Sequence, residues 1–189
     1  MRAPSNFSCL GLRLEQLSIG HLFLLADVSS PFLIGGTIAV TDLSNAVFLC
    51  SEPWRQAAAD TKRWWFPLFL KLWARRSRKL DMAAEQEKFS AYFKAETEFP
   101  LSKQNSRSMR EYGSPWWWRL LAIMMADFHL SKNDALDMAA AEAAMLWSAR
   151  AELEGKLNLW TKADDDFDEF CKRMDADPDV QFPGAAKLN

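Results

Sequence analysis

Two histidines, His21 and His129, are the only side chains in this 189-residue chain whose ordinary pKa would let them exchange a proton at neutral pH. They lie far apart, and neither adjoins a Ser or Cys motif of known mechanism. His21 falls on an apolar helical stripe, which reads as a packed or hydrogen-bonded structural residue. His129 closes a Trp-rich helix, where an imidazolium would suit the negative end of the helix dipole. The acids Asp164, Asp165, Asp166, Asp168 and Glu169 could in principle hold a divalent cation. They lack the alternation, central Gly and terminal Glu of an EF-hand loop, so they read as acids in the first turn of a helix. Cys9, Cys50 and Cys171 form no CxxC pair and leave an odd thiol, which argues against a disulfide framework or a zinc site. They read as free thiols in a reducing compartment. With no P-loop, GxGxxG, GxSxG or HExxH, the residue chemistry points to a non-enzymatic protein with no cofactor and no metal.

Contact chemistry is better represented. Between Asp60 and Asp81 the chain has no acidic residue and reads TKRWWFPLFLKLWARRSRKL. Here Arg63, Lys71, Arg75, Arg76, Arg78 and Lys79 are interleaved with Trp64, Trp65, Phe66, Phe69 and Trp73. Such a segment could stack on bases and touch phosphates, but it fits no nucleic-acid module, and nucleic acid is not the expected partner. It could also lie in a membrane interface over 64–79, or bury its aromatic face and solvate its basic one. Nine tryptophans exceed what a core of this size needs, and Trp64–Trp65 and Trp116–Trp118 are consecutive. Consecutive positions cannot share one helix face, so at least one Trp in each run should be at a rim or exposed. Trp54, Trp64, Trp65, Trp116, Trp117 and Leu121 are the candidate partner surface.

The elements that must position these residues are helical. Helix formers dominate, Gly and Tyr are scarce, and no alternating β-branched runs appear beyond Leu33–Val40. The chain is long enough to bury roughly 70% of its unfolded surface without staples. A formal charge of −2 gives no global pull toward polyanions. The expected fold is all-α, an irregular bundle of about six to eight helices. Spacing predicts a helix from Leu14 or Ser18 to Val28, with Leu14, Leu17, His21, Leu24, Leu25 and Val28 inward. A second follows, capped by Thr41 or Asp42, and two short helices should flank Pro67. Helices over Asp81 to Phe99, from Ser114–Pro115 onward, from Ser131, up to Gly155, and from Thr161 complete the set. Ala163, Phe167, Phe170 and Met174 should point inward from the last one.

The polar stretch near 100–114 could join two lobes, an N-terminal one over 1–99 and a C-terminal one over 115–177, with 178–189 as a frayed tail. Pro31–Cys50 is long enough to span a bilayer and has Asp42 as its single charge, but Gly35, Gly36, Thr37, Thr41, Ser44 and Asn45 divide it into a loop and an amphipathic helix. The N-terminal segment is a poor secretory signal and is expected to be kept.

The order LSIGHLFLL, SPFLIGG and TDLSNAVFLCSEPW, followed by MMADFHLSKNDALDMAAAEAAMLW and EGKLNLW, resembles the small helical tail assembly chaperones encoded beside tape-measure genes in tailed bacteriophages and prophages. The resemblance implies a non-enzymatic protein of the host cytoplasm that holds the aggregation-prone tape-measure protein and recruits tail-tube subunits. Homo-oligomerisation is compatible with it. The basic stretch is not explained by it, and a peripheral membrane protein using 64–79 is the alternative.

Overall fold

A tight hairpin opens the described chain. β1 (Ser8–Cys9) pairs antiparallel with β2 (Leu12–Arg13), and the two turn residues between them, Leu10 and Gly11, both take positive φ, 50° and 78°. That is the two-residue turn whose twist matches a hairpin, and it strains a residue with a Cβ. Leu10 is held there from outside, since its amide donates to Glu85 Oε2 at 2.5 Å and its side chain is buried. In this computed structural model the described residues are 7–77, 80–98, 102–104, 114–155, 157–159, and the single positions 167, 169, 171 and 172.

The protein is mostly helical, in two compact units: Met1–Phe99 with Arg110–Trp147, and Pro100–Met109 with Ser148–Asn189. In the first unit, residues 14–17 run extended rather than helical. Leu14 and Leu17 are buried all the same, through amide bonds from Leu14 to Phe7 and from Glu15 to Cys50. α1 (Ile19–Asp27) begins after the Ser18 cap, followed by α2 (Pro31–Ile34) and α3 (Val40–Cys50). The cap of α3 falls two residues ahead of Thr41: Ala39 is the N-cap, and Asp42 sits at N3, accepting the Ala39 amide at 2.9 Å. Its second half, Ala46 to Cys50, is buried residue after residue, because α1, α4 (Trp54–Thr61), α5 (Phe66–Ser77) and α6 (Met82–Thr97) all pack on it.

The break between α4 and α5 falls at 62–65, upstream of Pro67. Pro67 occupies the first turn of α5, where its missing N–H has no intrahelical acceptor to lose. α6 is capped by the Asp81 carboxylate, which accepts from the amides of Ala83 and Ala84. It buries Phe89, Tyr92 and also Glu85. Glu85 is buried because it anchors the hairpin and accepts from Lys88 as well.

A second apolar cluster joins α1 to α7 (Trp116–Ala126), α8 (Lys132–Asp137) and the start of α9 (Ala140–Leu153) around Ile19, Leu120, Leu121, Met124, Leu136 and Ala143. Ser131 caps α8 as its spacing predicts, accepting the Asp134 amide at 3.2 Å. The Ile19 amide reaches Met138 and the Ala140 amide reaches Leu17, which pins the entry of α9 to the entry of α1. These contacts correct the expected division at 115–177: α7 and α8 belong with residues 1–99. In the second unit, β3 (Ser102–Gln104) pairs antiparallel with β4 (Leu157–Leu159), so part of the stretch expected as a plain linker is strand. The tail 178–189 and the cap at Thr161 lie outside the described residues. No helix among the described residues is long and apolar enough to cross a membrane.

Candidate interaction surface

His21 is at N3 of α1, completing a reciprocal cap with Ser18. Its Nδ1 accepts the Ser18 amide at 3.0 Å and lies 2.9 Å from Ser18 Oγ, while Nε2 is 2.8 Å from the Glu52 carbonyl and must donate to it. Both ring nitrogens are thus committed to the neutral tautomer protonated at Nε2, and burial lowers the pKa further. Neither nitrogen is left for a substrate proton. His129 does not sit in the last turn of α7; it follows the Asp127 cap, exposed, in left-handed backbone at φ 55°, while the next amide, Leu130, closes back on Met124.

Near His21 lies a carboxyl pair. Burial, and then the neighbouring Asp60, push the Glu52 carboxyl above its ordinary range. Asp60 is braced by Gln56 at 3.2 Å and by Arg63, whose Nε stands 3.1 Å from Oδ1 without hydrogen-bond alignment. Burial pushes the Cys9 and Cys50 thiols up to about 12, which leaves neither as a nucleophile at neutral pH. Among the described residues no group of three or more His, Cys, Asp or Glu side chains is arranged to hold a metal. Of the C-terminal acids only Glu169 is described.

The predicted partner surface divides. Trp54 is an internal strut: its Nε1 donates to Asp137 at 2.6 Å, Arg55 grips the same carboxylate with Nε and Nη2, and the indole lies flat against Gly20. A Cβ on Gly20 would come within 2.4 Å of that ring, so only Gly fits beneath it. Trp117 and Leu121 are core, 8% and 5% exposed, on the inner stripe of α7. Trp116 and Trp65 are half-buried, with Trp65 edge-on to Phe69 at 5.9 Å. Trp64 alone of the six is open, at 88%.

It does not stand alone. Trp64 lies in the turn that precedes α5, and on the helix itself Leu68 and Leu72, one turn apart, are each 58% exposed, with Phe69 adding a 39% exposed edge. The opposite side of the helix, Phe66, Leu70 and Trp73, packs on the core, with Phe66 against Phe48 at 5.1 Å. α5 therefore has two apolar stripes, one buried and one bare. Lys71 and Arg75 are exposed and have no ion-pair partner among the described residues, whereas Arg63 is held near Asp60 and over Trp65. The side chain of Arg76, together with Arg78 and Lys79, lies outside the described residues. A smaller bare patch runs along α7, where Trp118 meets Phe23 edge-on at 4.8 Å and Met125 lies two turns on. Phe167, expected inward, is exposed.

Leu68, Leu72 and Trp118 were not among the predicted contact residues. The signal for the leucines is the 64, 68, 72 spacing; for Trp118 it is only that three consecutive indoles cannot all turn inward. Comparison with known protein families, curated proteins and solved structures finds no match to this chain.

Proposed function

We propose that the protein is a non-enzymatic binding protein that shields an apolar segment of a client, acting as a tail assembly chaperone for a tape-measure protein in the host cytoplasm and bringing it to tail-tube subunits. The observation that carries the binding role is the bare apolar patch of Leu68 and Leu72 on a helix whose other face is already packed, with Trp64 open in the turn just before it. The identity of the client comes from the resemblance in sequence order. Short, solvent-facing apolar ridges suit reversible capture, because a few anchors give affinity low enough for later release. The test is co-expression with a tape-measure fragment and pull-down. Retention of the fragment, and its loss in Leu68→Ser with Leu72→Ser, is the expected result; failure of the unaltered protein to retain it would remove this function.

A second reading is favoured by one specific feature, the placement of Lys71 and Arg75 beside that ridge. Trp, Leu and cations together are what an interfacial membrane helix presents. Co-sedimentation with vesicles containing anionic lipid, abolished by salt, would support it.

A further inference from the structure

The exposed side of α5 is mixed rather than purely apolar. At 100° per residue, Lys71, Arg75, Leu68 and Leu72 share a sector of about 100°, and Phe66, Leu70 and Trp73 occupy the other side. No carboxylate interrupts it, since the sequence has no Asp or Glu between Asp60 and Asp81. We infer that the occupant of this face is an amphipathic helix whose own contact stripe carries carboxylates among its apolar residues, so that Leu68 and Leu72 meet apolar anchors while Lys71 and Arg75 meet acids. The inference rests on the binding role proposed above and adds the chemistry of the partner.

Two features choose this occupant. A second copy of α5 would bring Lys71 and Arg75 against their own kind, and like charges at a contact oppose pairing. An anionic bilayer would meet the same leucines and cations, and vesicle binding without peptide binding is the result that would assign the face to it. A helix with acids and apolar side chains at three- and four-residue spacing matches the mixed face position by position.

The test uses the full chain and three synthetic helical peptides of about 20 residues, long enough to be partly helical alone. One carries Leu anchors with Glu beside them, one has each Glu replaced by Lys, and one keeps the Glu but has Ala for Leu. Only the first should bind the unaltered protein. Lys71→Glu with Arg75→Glu should weaken that peptide roughly tenfold, the size expected for two reversed exposed contacts, and should gain affinity for the Lys peptide. Circular dichroism of the variant confirms that these exposed changes leave the fold intact. Equal binding of the Glu and Lys peptides would overturn the inference, and so would binding to anionic vesicles with none to the Glu peptide. If a tape-measure fragment is retained but the charge exchange has no effect, the acidic partner falls and the chaperone stands; if the peptide results hold and the fragment is not retained, the reverse is true.

Discussion

A single imidazole shows how this protein spends its buried polar groups. His21 satisfies a helix cap on one nitrogen and a loop carbonyl on the other, and both bonds require the neutral ring. Its folded pKa lies below the ordinary 6.5 because burial disfavours the cation. The unfolded chain therefore binds the proton more tightly. Stability should be full above about pH 6.5 and fall as pH drops through the interval between 6.5 and the folded pKa. Urea midpoints measured from pH 7.5 to 5 should show that loss, and His21→Gln should flatten it; parallel slopes in the two proteins would refute the account. His21→Ala leaves the Ser18 amide and the Glu52 carbonyl without partners, at a cost of about 2–4 kcal/mol. Gly20 makes a complementary case. Gly20→Ala drives a methyl into the Trp54 ring and should cost about 1–3 kcal/mol, with a change in near-ultraviolet circular dichroism. In a Trp54→Ala background most of that cost should vanish, and an undiminished cost there would place the strain elsewhere.

At the scale of elements, α5 and α7 invite opposite experiments. Trp117→Ala or Leu121→Ala removes core volume and should cost about 2–5 kcal/mol in chemical denaturation. Leu68→Ser with Leu72→Ser should stay within about 0.5 kcal/mol per site, since these side chains are already in water, while client capture is lost. A large destabilisation from the leucine pair would show that the ridge is covered in the folded chain. The same contrast marks what could be read from residues alone. In α7 the period shared by Trp117, Leu120, Leu121 and Met124 is visible in the sequence, but Trp118 and Met125 make the other side apolar too, so that Trp117 and Leu121 read as contact residues and prove to be core. In α5 two stripes compete, 68 and 72 against 66, 70 and 73, and which one turns inward depends on Phe48 arriving from α3, a partner that local sequence does not reveal. The extended run before α1 was hidden for a related reason: Leu14 and Leu17 fit the helical period, but backbone bonds to Phe7 and Cys50 outweigh it. β3 has no strand signature in SKQ; its order comes from Leu157–Leu159.

For the whole molecule the decisive property is that two of its three thiols lie in the interior of the first unit. Cys9 is held between the hairpin and the Glu85 carbonyl at 3.3 Å, and Cys50 ends the buried half of α3 with no exposure at all. Cys171, in the second unit, is partly exposed. Access and ionisation act together here, because burial pushes the Cys9 and Cys50 thiols up to about 12, leaving almost no thiolate at neutral pH even where reagent could reach. In native buffer a thiol reagent such as 5,5′-dithiobis(2-nitrobenzoate) should therefore titrate one cysteine promptly and leave two. Those two should react at rates that rise together with denaturant, because α6 covers both, Cys9 at the Glu85 carbonyl and Cys50 beside Tyr92, so that they become accessible only when α6 leaves the core or the first unit unfolds. Peptide mapping of the labelled protein identifies which thiols react. Prompt labelling of Cys9 alone would mean that the hairpin detaches from Glu85 independently, and prompt labelling of Cys50 would contradict the packing of α3 at the centre of the unit.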